Sequence, residues 1–166
     1  IRRFARFPEN TSVSYVHAGG KIGVLVNLAV EGDFDATEIG KDVAMQIAAL
    51  NPRFWDKSLV TEEILEEEKK VLVAQMDNDP KMAAKPAAVK EKIAAGKIEK
   101  FFEENCLLQQ TFVKDNDVTV EKYIANASKG AVKFLDAIRF ERGEGIEKKQ
   151  DNFAEEVAAQ IAGAAK

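Results

Sequence analysis

The spacing of apolar side chains predicts strands in the first thirty residues of the chain. Residues 2–7 and 11–17 alternate apolar and polar positions, which is the two-residue period of a half-buried β-strand. In the second of these strands, Tyr15 and His17 fall on one face. A short Gly-rich loop follows, and the β-branched run at 22–30 predicts a central strand that completes a hairpin.

The period then lengthens to that of amphipathic helices. Thr37 is a suitable N-cap for a helix that stops before Asn51-Pro52. Two further helices are predicted at 61–77 and 82–95, separated by an Asp-Asn-Asp-Pro breaker, and Gly96 is expected to end the second. The second helix is rich in alanine, and its small side chains let the two helices approach closely as an antiparallel pair.

The last third of the chain predicts one more short helix, one more strand and a final helix. Thr119 caps the short helix, Lys129-Gly130 ends it, and 132–142 form the strand. The final helix begins at Asp151 or Asn152. The complete order of strands and helices predicts a fold of the α+β class.

Charge and composition narrow the kind of partner. The net charge of −4 argues against a general nucleic-acid grip, and a single cysteine, Cys106, excludes an internal disulfide or a cysteine metal cluster. No apolar run reaches the length of a transmembrane helix. We therefore expect a cytoplasmic protein that binds another protein, with no nucleic-acid or membrane partner. Since the chain starts at Ile1 in what reads as a strand, we expect a piece of a longer protein.

The sequence contains no constellation typical of catalysis. His17 is the only histidine, and Asp33 and Asp35 read as ordinary loop acids rather than members of a triad. Gly143-Glu144-Gly145 follows a strand but lacks the third glycine and the Lys-Ser/Thr of a phosphate-binding loop. The sequence therefore predicts no catalytic residue, no metal site and no cofactor, and an enzyme ranks behind a binding protein.

Several short motifs follow one another in a fixed order along the chain. They are Ser14-Tyr15-Val16-His17 with Gly20 and Ile22-Gly23-Val24, then Gly96 to Phe102, then Gln110-Thr111-Phe112-Val113-Lys114-Asp115, and finally Arg139-Phe140-Glu141 before Gly143-Glu144-Gly145. In this order they resemble the bacterial elongation factor Ts family, in its C-terminal part containing the dimerisation domain. The resemblance covers essentially the whole chain.

The resemblance implies an architecture of a three-stranded antiparallel sheet covered by helices, with a projecting antiparallel helical hairpin (coiled coil). It also implies a domain organisation. Residues 1–10 would be a remnant strand of a first core subdomain, and 11–55 with 108–142 would form the second. Residues 56–107 would be the helical hairpin or dimerisation segment, and 143–166 a C-terminal helix module.

The resemblance also implies that the partner is elongation factor Tu, a protein GTPase whose GDP release the family promotes. Residues of the matching motifs would face this partner: His17, Gly20, Phe112, Val113, Val157, Gln160 and Ile161. For each group, a purely structural role without a partner stays open as an alternative. His17 would be a strand-end residue bonded to a loop, Phe112-Val113 a plug under its loop, and the final helix a tail packed on the core.

The hairpin carries a stripe of Leu65, Leu72 and Met76, which we interpret as its seam rather than a cofactor site. The resemblance adds that its outer surface can pair with another copy as a homodimer. The alternative function is a self-association module that binds no GTPase. The family's N-terminal domain and its Thr-Asp-Phe-Val wedge motif do not occur in this sequence, so we expect binding with impaired exchange.

Overall fold

The computed structural model describes residues 3–146 and contains ten regular helices and strands within that range, besides short 3-10 turns. In chain order they are β1 (Thr11–His17), β2 (Ile22–Val30), α1 (Thr37–Leu50), α2 (Glu62–Asn78), α3 (Pro80–Ala83), α4 (Ala87–Asn105), β3 (Thr111–Phe112), β4 (Asp115–Thr119), α5 (Val120–Ser128) and β5 (Val132–Glu141). The predicted α+β class and the three-stranded antiparallel sheet are confirmed.

The sheet has the order β1-β2-β5, with β2 in the centre and antiparallel to both neighbours. Its register shifts between Asn27 and Leu28, where β5 holds one extra residue, Leu135. Because of this bulge, Phe134 and Ala137 both lie on the helix-covered face although they are three positions apart. Leu135 is left half exposed. The strict two-residue alternation expected from the sequence therefore fails at this one position.

The main core lies between the sheet and α1. Ile39, Val43 and Ile47 of α1 are buried against apolar residues of β1 and β2. The closest approach is at Gly40, where an added Cβ would lie 2.5 Å from a Val13 methyl. This position therefore requires glycine because of the packing distance between helix and strand. The contact fixes α1 against β1.

Helices α2 and α4 run antiparallel to each other. Asp77 near the end of α2 pairs with Lys90 near the start of α4 at 2.7 Å, whereas Leu65 near the start of α2 packs on the cluster around Phe101 near the end of α4. The two helices thus lie side by side in opposite directions, while the projecting hairpin and its coiled-coil geometry stay predictions. None of the described helices is long and apolar enough to cross a membrane.

Helix ends agree with the sequence at some positions and differ at others. Thr61 and Thr119 cap α2 and α5 through their hydroxyl oxygens, the second as predicted. Thr37 is instead the first helical residue, because Asp35 Oδ1 accepts its N–H. The prediction that Gly96 ends a helix is wrong. The surrounding strong helix formers outweigh one glycine, which costs about 1 kcal/mol relative to alanine, and α4 continues to Asn105.

The predicted strand at residues 2–7 is also wrong, since residues 3–8 have no regular secondary structure. Ala5 lies against the outer face of the sheet, and the Arg3 guanidinium sits 4.8 Å from the centre of the Phe140 ring. The segment thus contacts side chains on the face of the sheet and finds no backbone partner at its edge. The helix expected from Asp151 onward, with Val157, Gln160 and Ile161, lies outside the described residues.

Candidate partner-binding surface

His17 ends β1 and lies on the same face as Tyr15, as the alternation predicts. The Tyr15 hydroxyl is 3.0 Å from His17 Nδ1, and the ring centres are 5.8 Å apart. Both side chains are half-buried, so the phenol fixes the orientation of an imidazole that solvent still reaches. We call Tyr15, His17 and the following Gly20 the histidine patch.

Gly20 is exposed and adopts φ +88°, a conformation that side-chain-bearing residues rarely adopt. The turn is closed by a hydrogen bond from Lys21 N to His17 O at 3.1 Å. Positive φ therefore explains the glycine at this position without any partner. No atom lies within 4 Å of an added Cβ, so the surface around Gly20 is open.

The strand register places an ion pair beside the histidine patch. Glu141 of β5 pairs with Ile22, which in turn pairs with His17, and Glu141 accepts a 2.9 Å hydrogen bond from Arg139. Arg139 Nε is buried and has no hydrogen-bond partner among the described residues. The apolar helix-covered face of the sheet thus becomes polar at the end that carries His17.

The two residues of the second group, Phe112 and Val113, differ in solvent exposure. Phe112 is 2% exposed and stacks on Tyr123 with ring centres 4.0 Å apart and planes 19° apart. Val113 is 40% exposed. The expectation of an exposed apolar pair is therefore wrong for Phe112, because α5 supplies an aromatic partner that buries it. The plug alternative describes Phe112, and Val113 alone of the two offers its side chain to solvent.

The backbone around Val113 is held by Gln46, a fully buried residue of α1. Gln46 Oε1 accepts the Val113 N–H at 2.9 Å, and Gln46 Nε2 donates to the Thr111 carbonyl at 3.0 Å and to Gln110 Oε1 at 3.2 Å. The side-chain amide thus satisfies two backbone groups of the loop, as a neighbouring strand would.

A second α1 residue, Asp42, holds the other side of the loop. Its carboxylate accepts from Lys114 Nζ at 2.5 Å and from the Tyr123 hydroxyl at 2.7 Å. Burial raises the pKa of Tyr123 far above its ordinary value, and the hydrogen bond to Asp42 adds to the shift. Tyr123 therefore stays a neutral donor. We call Phe112, Val113 and Lys114 the loop patch.

Sequence reasoning missed Asp42 and Gln46. The available signal was their i, i+4 spacing beside the apolar Ile39, Val43 and Ile47 stripe, which leaves two polar side chains at the border of the buried helix face. Helical spacing places them there but does not reveal what lies opposite. Their partners come from residues more than 60 positions away.

The stripe of Leu65, Leu72 and Met76 lies on the inner side of α2. Met76 is 2% exposed and the two leucines are half-buried, whereas Val71 and Val73 point to solvent. This distribution agrees with a seam inside the chain. A role of the three residues between two copies stays a prediction.

Groups capable of bond-making chemistry are scarce in the part of the chain that the structure describes. No set of three or more His, Cys, Asp or Glu side chains there is arranged to hold a metal. The Cys106 thiol is fully buried, and burial together with the nearby Asp56 charge raises its pKa to about 11. The two patches present to a partner one imidazole, one exposed valine and a few charged groups on a fixed surface.

The two patches are built separately. The contacts of His17 run to Tyr15 on its own strand, whereas those of Phe112 and Val113 run to α5 and α1. The described part of the chain is thus an α+β domain that carries two separately built surface patches around one sheet.

Comparison with known proteins identifies the family. A family model described as "Elongation factor TS" matches residues 1–144. The chain is 47% identical over 169 residues to the elongation factor Ts of Clostridium kluyveri, covering 98% of this chain and 54% of that protein. It is 46% identical to that of Clostridioides difficile, covering 97% and 54%. The chain therefore belongs to the elongation factor Ts family. It spans about half the length of the curated relatives it matches.

Proposed function

We propose that this chain binds elongation factor Tu and takes part in promoting GDP release from it. The observation that carries the proposal is the family match over residues 1–144 with 47% identity to a curated elongation factor Ts. The geometry supports it through two preformed patches at motif positions. The chain would act in the cytoplasm as a binding protein, by contact rather than by bond-making.

Exchange by such a protein follows from linkage. If the chain binds the nucleotide-free GTPase more tightly than the GDP-bound form, its binding must weaken GDP by the same factor. His17, Gly20 and Val113 are the proposed direct contacts, and Phe112 supports Val113 from below. Val157, Gln160 and Ile161 are proposed contacts that lie outside the described residues.

We further propose that exchange by this chain is weaker than by a full-length factor. The wedge motif Thr-Asp-Phe-Val of the family does not occur in the sequence. The chain then corresponds to the second core subdomain, 11–55 and 108–142, with the 56–107 hairpin. It would supply docking energy without the group that disturbs the nucleotide site.

Self-association through the α2–α4 pair is a second candidate function. The observation that favours it is a group of valines exposed on these helices, Val71 at 51%, Val73 at 39% and Val89 at 40%. Exposed apolar side chains on paired helices are suited to packing against a second copy. This function is compatible with GTPase binding, because the two patches lie elsewhere.

The test is titration calorimetry of the full chain against nucleotide-free and GDP-bound elongation factor Tu, with gel filtration of the chain alone. We expect tighter binding to the nucleotide-free form and slower release of fluorescent GDP than with a full-length factor. His17→Ala and Val113→Ala should each weaken binding. Leu135→Ala, an equally exposed apolar residue at the bulge, is the matched control. Equal affinity for both forms of the GTPase would refute the exchange role.

A further inference from the structure

The loop patch cannot hold its own shape. β3 has two residues and β4 five, and their pairing is irregular between Thr111 and Phe112. An isolated two-stranded ribbon of this length is marginally stable in water. The conformation of Val113 must therefore be fixed by groups outside the ribbon.

Two side chains of α1 supply that fixation. Gln46 takes the Val113 N–H and the Thr111 carbonyl, which are the backbone groups that a third strand would bind. Asp42 takes the Lys114 ammonium and, through Tyr123, supports the ring under Phe112. Every residue of the loop patch is thus held through an α1 side chain.

The amide of Gln46 is itself fixed. It has no solvent exposure, and its Nε2 also donates to Gln110 Oε1, whose own Nε2 donates to the Glu104 carbonyl at 3.0 Å. A buried amide with both ends bonded has one orientation. Because the Val113 N–H donates to this amide, the position of the Val113 backbone is fixed as well.

We propose that Asp42 and Gln46 are positioning residues that hold the loop patch in the conformation in which Val113 meets its protein partner. This inference rests on the proposed binding of elongation factor Tu. A loop ordered before binding loses less conformational entropy on association, so the two residues raise affinity without touching the partner.

The first measurement is amide hydrogen exchange on the full chain. Gln46→Met keeps the buried volume and removes the hydrogen bonds. We expect exchange at Val113 to accelerate at least tenfold. Val43→Ala, in the same helix and equally buried, is the control for general destabilisation and should accelerate core amides without singling out Val113. Unchanged exchange at Val113 in Gln46→Met would overturn the inference.

The second measurement is a double-mutant cycle on the affinity for nucleotide-free elongation factor Tu, made well below the unfolding temperature. Gln46→Met and Asp42→Asn are each expected to weaken binding about fivefold, and Val43→Ala less than twofold. In a Val113→Ala background the effect of Gln46→Met should shrink to less than twofold. An undiminished loss in that background means that Gln46 acts by stability alone, and the inference fails.

The outcomes separate the two proposals. If the unaltered chain does not bind the GTPase, the proposed function fails. The amide hydrogen-exchange experiment still reports whether Gln46 orders the loop. If the chain binds and the cycle is additive, the function stands and the positioning role is wrong.

Discussion

The histidine patch and the loop patch differ in the sequence range of the contacts that hold them. Tyr15 supports His17 from two positions away on one strand, so the geometry of a single strand is sufficient. Val113 and Lys114 depend on α1 residues 67 and 72 positions away. The first patch is a local property of a motif, whereas the second exists only when helix, ribbon and α5 are assembled. Loss of tertiary structure should therefore abolish the loop patch first.

The largest expected effect on stability comes from substituting Phe112. If β3 and β4 held the loop by themselves, this substitution would have little effect, and the contrast between the two patches would fail. Phe112→Ala removes a buried ring from Tyr123 and should lower the free energy of unfolding by about 3 kcal/mol. The adjacent Val113→Ala should change it by less than about 0.5 kcal/mol, because that side chain is exposed. Urea unfolding measures both. Similar losses for the two variants would contradict the placement of Phe112.

Gly40 tests the contact between α1, which holds the loop patch, and β1, the strand that carries His17. Gly40→Ala places a methyl group 2.5 Å from Val13 and should destabilise the fold by about 2 kcal/mol, although alanine is the better helix former. Gly96→Ala in α4 is the matched control. Nothing lies within 4 Å of its added Cβ, so it should stabilise by up to about 1 kcal/mol. A neutral Gly40→Ala would show that the helix and strand can separate without loss.

Alkaline pH should weaken the assembled region around the loop. The pKa values of Cys106, raised to about 11, and Tyr123 both lie above their ordinary values. A raised folded-state pKa gives a contribution that is complete below the unfolded-state pKa and is lost as pH rises toward the folded value. Unfolding free energy should thus fall by about 1 kcal/mol between pH 8 and 10. Cys106→Ala should flatten this fall, whereas Tyr123→Phe should flatten only the further loss above pH 10. A flat profile in the unaltered chain would contradict the prediction.

The smallest effect is expected at the histidine patch. Tyr15→Phe removes the hydroxyl next to His17 Nδ1 and should change unfolding free energy by less than about 1 kcal/mol, since the pair is half-buried. Affinity for elongation factor Tu should fall about threefold by calorimetry. In a His17→Ala background the same substitution should have no effect on affinity. A persisting loss there would mean that Tyr15 contacts the partner directly.

The sequence was sufficient wherever one helix or strand determined the result. Alternation placed Tyr15 and His17 on one face, and the capping preference of Thr119 correctly placed the start of α5. It failed where a distant element decides. The strand predicted at residues 2–7 is absent from the described residues 3–7, and Phe112 of β3 is buried by a tyrosine of α5. Apolar character is a property of a residue, but its burial depends on what packs opposite.

Polar residues show the same limit more strongly. His17 could be singled out because it is the only histidine and sits in a recognisable motif. Asp42 and Gln46 look like ordinary polar residues of a surface helix, and only the fold shows them buried and bonded to the loop. Burial of a polar side chain requires a partner for each of its hydrogen-bonding groups. Those partners lie in two distant segments, residues 110–114 and α5, so no local pattern encodes them.

Helix α1 contacts both β1, the strand that carries His17, and the loop patch. Gly40 touches β1 and Gln46 holds the loop, and they are six residues apart on α1, a rise of about 9 Å. α1 therefore serves as a molecular ruler between the two anchor points. Inserting a single residue between them would rotate one anchor by about 100° relative to the other. A protein surface that engages both β1 and the loop would have to match the spacing that this helix sets between them.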